Sequence, residues 1–426
     1  MTAPDTVPAT AAVAEPARFW TRERKAGTGL GVTGLVAAAL FGALASDRPA
    51  AFTLAETTAG DTVEINGTLG AVVFGLLAAV AGAALWAPRA RRWFVLLLAA
   101  GIVAVVVSFL CWQLSRSPQN VLPLGNVIRS SVIFALPLIF GGLAGTIGER
   151  SGVINIAIEG QFIMGAFFAA LVATVAASVW FGIVAAAIGG LLIAALLAML
   201  AIRFVVDQIV VGVVLIVFAL GVTGFLFEQL MAPAPTRYNA PSRVPTWEVP
   251  ALSDIPLVGP VLFRANIFVY LALALVVLVY VGLFHTRWGL RTRAVGEHPA
   301  AADTVGVKVL GLRYLNVLLA GAIAGVGGAY FTLLATTNFN KGMTAGLGFI
   351  ALATMIFGRW NPVGVLLAAV FFGFSRALAV YLGSIGSPIP SQFLNMLPYL
   401  ATIAVVAGLV GRARPPAADG KPYIKG

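Results

Sequence analysis

Residues 180–202 read WFGIVAAAIGGLLIAALLAMLAI, an apolar run with no charge inside it, closed by Arg203. About 20 helical residues cross the hydrocarbon core of a bilayer, so this run is long enough. Inside lipid the backbone must satisfy its own hydrogen bonds, which makes the run a helix and not an open strand. The same signature recurs on the N-terminal side at 28–45, 67–87, 93–112, 127–146 and 153–178. On the C-terminal side it recurs at 205–227, 265–285, 311–336, 343–358, 361–384 and 391–410. The alternating pattern of a membrane barrel is absent. The expected fold is all-α, a polytopic transmembrane bundle of about 12 spans (10–12) with both termini cytoplasmic. Segment 343–358 is the shortest and reads either as a span or as a re-entrant segment.

Composition points the same way. Hydrophobic residues make up 60% of the chain, charged residues 10%, and mean hydropathy is +0.98. A soluble surface needs about a quarter of residues charged. The net charge of +11 would suit nucleic acid, but basic residues between spans set orientation and meet anionic lipid. Membrane lipid is therefore an expected partner and nucleic acid is not. In the expected topology only Arg48, Arg116, Arg129, Arg237, Arg243, Arg264 and Lys341 fall outside, Arg376 lies within a span, and the remaining basic residues are cytoplasmic. They include Arg18, Arg89, Arg91, Arg150, Arg203, Arg287, Arg291, Arg293, Arg412 and Lys425. The lone Cys111 permits no disulfide within the chain, and His285 and His298 lack the spacing of a zinc site, so no metal is expected.

The chain divides, on this reading, into a cytoplasmic N-terminal tail 1–27, an N-terminal transmembrane region 28–112, a core transmembrane domain 125–411 and a C-terminal tail 412–426. The tail 1–27 is read as disordered and retained, without a convincing cleavage site. The Pro-rich stretch from Glu228 to Arg264 has no helical period and reads as a long outer loop.

Three segments carry chemistry. In the first, Gly148-Glu149-Arg150-Ser151-Gly152-Val153-Ile154-Asn155-Ile156-Ala157-Ile158-Glu159-Gly160-Gln161, a cytoplasmic turn enters a span. Ser151, Asn155 and Glu159 are spaced i, i+4, i+8, which would put them on one helix face. A carboxylate at that depth must face protein or water. Ser151, Asn155, Glu159 and Gln161, with Asn338 at an outer helix end and Arg376 inside a late span, are the candidates for a translocation path or gate. A hydrogen-bonded clamp between helices is the competing role for the first group.

The second segment is the basic loop 287–308. Pro299 suits the first turn of a helix, the following alanines favour one, and Gly306 can end it in a left-handed cap. A small smooth helix outside the membrane suits docking into a groove on another protein, and Arg293, Gly296, Glu297, Pro299, Ala301, Asp303 and Gly306 are its candidate residues. In the third segment, Gly321, Gly325 and Gly328 lie on small-residue faces that let helices approach closely. The sequence contains no G-x-x-x-x-G-K-[ST] nucleotide loop and no nucleophile with a matching base. The chain is therefore not expected to be an enzyme.

At these segments the chain resembles the bacterial ATP-binding-cassette importer permeases that include ribose, branched-chain amino acid and nucleoside permeases. Glu149 to Gly160 is similar to the second permease of nucleoside-type importers. Arg293-Ala294-Val295-Gly296-Glu297-His298-Pro299 through Gly306 resembles the family's loop that contacts the ATPase. Gly348-Phe349-Ile350-Ala351-Leu352-Ala353 and Phe357-Gly358-Arg359-Trp360-Asn361-Pro362 are similar as well. The resemblance implies import by alternating access, with no cofactor on this chain and with ATP and Mg on partner ATPase subunits. It further implies a second permease subunit, expected to be a paralogue, and an extracytoplasmic substrate-binding lipoprotein. Nucleosides or purines are the expected substrates, ahead of simple sugars and branched-chain amino acids. A secondary transporter driven by an ion gradient is the alternative class, and it would need coupling carboxylates in the spans, where Glu159 is nearly alone.

Overall fold

The computed structural model describes residues 20–58, 61–87, 92–253, 259–387 and 414–424, with isolated positions 255, 389, 390, 392, 393 and 396. The expected tail up to residue 19, Arg89, Arg91, Arg412, Lys425 and most of the expected span 391–410 lie outside the described residues. The chain forms two compact units. One comprises Met1–Ala50 with Ile65–Arg116, the other Ala51–Glu64 with Ser117–Gly426.

The first unit holds α1 (Arg22–Leu44), α2 (Gly67–Ala84) and α3 (Phe94–Arg116). Gly34 and Gly75 let α1 and α2 approach to backbone contact, and the Ser108 hydroxyl donates to the Ala71 carbonyl at 2.6 Å between α3 and α2. Phe41 stacks on Trp112, with Phe109 against both edge-on.

The second unit contains α4 (Leu124–Arg150), α5 (Ile158–Val175), α6 (Val179–Ala198), α7 (Gln208–Leu226), a single turn α8 (Pro235–Tyr238) and α9 (Ile267–His285). There follow α10 (Arg287–Glu297), α11 (Pro299–Thr304), α12 (Val309–Tyr330), α13 (Leu347–Phe357) and α14 (Pro362–Ser384). Short π-helical turns extend α6 to Arg203, α7 to Met231 and α12 to Ala335. Polar residues cap the helices where they start. Asp207 accepts from the Ile209 and Val210 amides, Asn266 from Phe268 and Val269, and Asn361 from Val363 and Gly364 with Pro362 in the first turn. Each cap satisfies amides that would otherwise be orphaned at a helix start.

Ten described helices are long and apolar enough to cross a membrane: α1–α7, α9, α12 and α14. This is the lower end of the expected 10–12, below the twelve segments read from the sequence, for two reasons. The segment 391–410 is largely outside the described residues, and 343–358 holds only the 11-residue α13. At a rise of about 1.5 Å per residue α13 covers roughly half a bilayer. Its flanks nevertheless lie at opposite ends of the unit. Phe339 accepts and returns hydrogen bonds with Asn239, beyond the end of α7, whereas Trp360 donates to Glu149 at the end of α4. The segment 336–358 is thus one crossing made of a non-helical half and a helical half, not a hairpin that returns to its own side.

The chain is not wholly helical. Of the short strands β1 (Pro49–Thr53), β2 (Thr62–Asn66), β3 (Val121–Pro123), β4 (Thr246–Glu248) and β5 (Arg264–Asn266), Ala51–Thr53 of β1 pair in parallel with β3. Strands β4 and β5 form an antiparallel pair inside the stretch read from sequence as a loop without regular structure. Trp247 of β4 stacks on Tyr270 of α9, so the loop is folded back on the bundle.

In the second unit α12 is wedged between α5 and α6. A Cβ on Gly325 would collide with the Ala186 carbonyl of α6, one on Gly321 with Ala194, and one on Gly328 with the Phe162 carbonyl of α5. Gly165 of α5 and Gly190 of α6 reach the Gly325 backbone from the two sides. Helices in lipid gain little from hydrophobic transfer and associate through such close packing. Replacing Gly325 by Leu overpacks this seam at a cost of about 1–3 kcal/mol. The Gly325→Leu protein is expected to unfold at a lower temperature in detergent than wild type. Gly383→Leu, at a position with nothing within 4 Å, serves as the control and is expected to leave the midpoint unchanged.

Candidate functional site

The polar residues of the first segment do not share a helix face. Helix α4 ends in a left-handed cap at Gly152 (φ +85°), with the Val153 amide donating to the Gly148 carbonyl and the Gly152 amide to the Glu149 carbonyl. Helix α5 begins only at Ile158, so 151–157 is irregular and takes in the start of the expected span 153–178. The i, i+4, i+8 spacing assumed one continuous helix from Ser151 to Glu159, and the Gly152 cap with the irregular residues after it interrupts that helix. Ser151 instead donates to the Gly148 carbonyl at 2.7 Å within the turn. Asn155 and Gln161, both fully buried, exchange amide hydrogen bonds of 3.1 and 3.2 Å across the break. The Ile154 amide donates to Gln208 at the start of α7 at 2.7 Å.

Glu159 sits in the first turn of α5 and is buried. One carboxylate oxygen accepts from the Thr344 hydroxyl at 2.6 Å and the Gly346 amide at 2.8 Å, and the other accepts from the Gly348 amide at 2.7 Å. The donors belong to the start of α13, where amides have no partner in their own helix and the positive end of the helix dipole favours an anion. Glu159 therefore caps the broken crossing from a neighbouring helix. A Cβ on Gly348 would meet this carboxylate, so glycine is required for the close approach.

At the far end of α13 the bundle gathers Arg150, Arg287, Arg291, Arg293, Lys308, Arg313 and Arg359 around α10 and α11. Thr286 caps α10 by accepting from the Gly289 amide, and Pro299 occupies the first turn of α11. Gly306 follows α11 at φ +86°. Helix α10 is tied to α12 through Asn316, which accepts from the Trp288 indole at 3.0 Å and donates to Thr292 at 3.1 Å. Arg293 lies over the Phe284 ring, and Gly296 packs directly on the Arg150 carbonyl. Val295, Ala302 and Val309 form a small separate core with Val307, Leu312 and Tyr423. Ala300, Ala301, Thr304 and Val305 remain exposed, Val305 to 78%.

The C-terminal segment 414–424, read from sequence as a tail, packs on this same end. The Ala418 amide donates to the Gly296 carbonyl at 2.9 Å, and the Ala417 amide to the Glu297 carboxylate at 3.1 Å. The Tyr423 hydroxyl donates to Asp303 at 3.0 Å, and Arg313 donates to both the Lys421 carbonyl and the Ser151 carbonyl. The Asp419 carboxyl lies beside the Glu149 carboxyl, which accepts from the Trp360 indole at 2.6 Å. Burial pushes the Asp419 carboxyl up to about 6, against the opposing pull of the Gly420 amide and the Arg313 charge.

Two candidates stand apart from this network. Asn338 accepts from Asn340 and Thr336 in the outer loop before α13. Arg376 is exposed on the largely apolar α14. Sequence reasoning missed Thr344, Trp360, Arg313, Asp419 and Tyr423. Trp360 and Glu149 stood in quoted motifs, but their contact spans 211 positions, and nothing in the short polar tail announces a docked segment.

Ten described helices long and apolar enough to cross a membrane, seven of them in the second unit, define a multi-pass integral membrane protein, and the irregular segments and small exposed helix at the basic end of that unit suit a permease. The family model described as branched-chain amino acid transport system / permease component matches residues 127–407. The chain belongs to this family and is a permease component of the cell membrane. It is 39% identical over 313 residues to the guanosine ABC transporter permease protein NupQ of Bacillus subtilis (strain 168), covering 71% of this chain and 98% of that one. It is 39% identical over 308 residues to the nucleoside ABC transporter permease protein NupC of Lactococcus lactis subsp. cremoris (strain MG1363), covering 70% and 96%. It is 33% identical over 316 residues to a putative glucose ABC transporter permease protein, TsgC13, of Haloferax volcanii, covering 67% and 92%. No solved structure shows a significant match.

Glu159→Gln replaces one acceptor oxygen by a donor and leaves a buried amide at the α13 start unpaired, a loss of about 1–3 kcal/mol. A lower unfolding midpoint in detergent than that of wild type is expected; an unchanged midpoint would mean that α13 does not depend on this cap. The raised Asp419 value predicts a pH effect on the docked tail. A carboxyl that holds its proton more tightly when docked favours docking at low pH, and this advantage is lost as pH rises from the ordinary 3.8 to about 6. Hydrogen exchange of 416–423 is therefore expected to be slower at pH 5 than at pH 7.5, after correction for intrinsic rates, and Asp419→Asn is expected to shrink the difference.

Proposed function

We propose that this chain is the membrane-spanning subunit of an ATP-binding-cassette importer of nucleosides or purines. The observation that carries the substrate class is the 39% identity to permeases named for guanosine and nucleosides over nearly their full lengths. Neutral solutes also suit a bundle whose one mid-span carboxylate among the described residues, Glu159, is already engaged by three donors. That engagement counts against the secondary-transporter alternative, which needs a carboxylate free to load and release a proton or ion.

In this reading the basic end faces the cytoplasm, in keeping with the positive-inside bias, and so do both termini. ATP and Mg are bound by separate ATPase subunits that dock on the exposed face of α11 formed by Ala300, Ala301, Thr304 and Val305. Closure of those subunits pushes α10 and α11, with Arg293, Gly296, Glu297, Pro299, Asp303 and Gly306 shaping the pair. The push reaches α4 through Gly296 on Arg150, and α12 through Asn316. The breaks at 151–157 and 336–346 are where the helices can tilt without disrupting regular hydrogen bonding. A second permease, a paralogue of this chain, completes the path, and an extracytoplasmic binding lipoprotein delivers the solute. Arg376, a charge at depth on an exposed face, requires water or a partner and suits the path between the two permeases. Asn338 lies at the outer mouth. The N-terminal region 28–112 is an addition to the transporting core 125–411.

Radiolabelled guanosine and adenosine uptake in cells lacking this gene, and in cells lacking the ATPase gene, tests the proposal. Loss in both strains is expected. Loss that depends on this chain but not on the ATPase would reject the ATP-driven reading, and glucose uptake lost in place of nucleoside uptake would move the substrate to sugars. Ala301→Arg, on the exposed α11 face, is expected to leave the chain in the membrane at normal level and to abolish co-purification of the ATPase.

A further inference from the structure

The C-terminal segment touches, within a few residues, both the element proposed to receive the ATPase and the turn from which the transmembrane break begins. Helix α11 has only six residues, too few to hold itself in water or at a membrane surface, and it is joined to α10 through His298 and Pro299. What orients it is external. Ala302 packs into the small core with Val295 and Val309, and the Tyr423 hydroxyl holds Asp303 from the other side. Ala417 and Ala418 bond the end of α10 at Glu297 and Gly296. The same segment then crosses to the α4–α5 turn. Gly420, at φ +72°, lies against Ile154, Asp419 lies beside Glu149, and the Lys421 carbonyl shares the Arg313 guanidinium with the Ser151 carbonyl.

We infer that residues 417–423 are a positioning strap that couples α10–α11 to the α4–α5 turn, so that displacement of α11 is passed to the break at 151–157. Beyond that turn lie Ile154 on Gln208, the Asn155–Gln161 pair and the Glu159 seat of α13. Both broken crossings are therefore within reach of one movement. Arg313 is the central joint, since its Nε bonds the turn at 3.1 Å and its Nη1 bonds the strap at 2.9 Å. Tyr423 fastens the strap to α11, and Asp419 sets its carboxyl beside Glu149 of α4. The inference rests on the reading of α11 as the ATPase-docking surface, and the test separates the two.

The complete importer, with both permeases and the ATPases, is reconstituted in proteoliposomes carrying this chain either whole, ended after Arg414, or with Asp419→Asn and Tyr423→Phe together. Guanosine transported per ATP hydrolysed is measured alongside ATPase co-purification. Loss of a coupling element of this kind is expected to lower the transport-to-hydrolysis ratio by about fivefold in the shortened chain, with the ATPases retained. A smaller fall is expected in the double variant, with partial recovery when Asp419→Asn is made alone. A tail that merely stabilises the fold would reduce the amount of complex and leave the ratio unchanged. An unchanged ratio in the shortened chain overturns the strap. Should the shortened chain fail to accumulate, an unchanged ratio in the double variant overturns it. If the strap variants keep the wild-type ratio while Ala301→Arg still releases the ATPases, the docking reading stands and only the strap falls. If Ala301→Arg keeps the ATPases bound, the docking reading fails and the strap's role with it.

Discussion

A helix that begins halfway through an apolar bundle leaves its first amides without partners and without water to replace them. This constraint governs the second unit, because α13 starts in just that position. The Glu159 carboxylate meets it by accepting from Thr344, Gly346 and Gly348. The stabilisation is reciprocal, since a carboxylate among apolar helices needs donors as much as the amides need an acceptor. Once the two are joined, the start of α5 and the start of α13 are fixed to one another. Helix α13 then runs to the basic end and delivers Trp360 to Glu149 and Arg150.

The breaks have a common character. At 151–157 the left-handed cap at Gly152, the Asn155–Gln161 exchange and the bond from Ile154 to Gln208 satisfy backbone and amide groups that a continuous helix would have satisfied itself. Irregular backbone at membrane depth is tolerated only where it is buried in protein or lines a cavity. Here the compensating groups are all internal. The close glycine seam of α5, α12 and α6 supplies the opposite quality, a rigid wedge with no room for adjustment. A permease needs both, a body that moves as a unit and joints at which it can change tilt.

The basic end converts this arrangement into a surface another protein could drive. Burial of Val295, Ala302 and Val309 beneath α10 and α11 leaves Ala300, Ala301, Thr304 and Val305 outward, small side chains that present little obstruction. The segment 414–424 is held beside that surface by backbone donors to α10, a phenol on α11 and the Arg313 guanidinium that also bonds the Ser151 carbonyl. The polar bonds are concentrated at the contacts between elements, while the helix interiors rely on packing.

Much of the protein was legible from the chain alone. Long uncharged apolar runs must be helices in lipid, so membrane class and most crossings follow from composition and length. The short helix begun by Pro299 and ended at Gly306 was also readable, because local backbone preference sets both ends. The close faces of Gly321, Gly325 and Gly328 were visible as spacing, but which neighbours they meet was not. Only the tertiary structure decided that Ser151, Asn155 and Glu159 do not share a face, because a left-handed cap at Gly152 breaks a periodicity that sequence spacing takes as continuous. It alone decided that Glu159 seats α13, that 336–358 is a crossing half irregular and half helical, and that the C-terminal segment is a docked element. The Gly152 cap is local, but the other cases share one physical reason. Apolar periodicity and caps act over a few residues, whereas Glu159 and Thr344, Glu149 and Trp360, and Asp303 and Tyr423 pair polar groups separated by more than a hundred positions, and no local signal records such a partner.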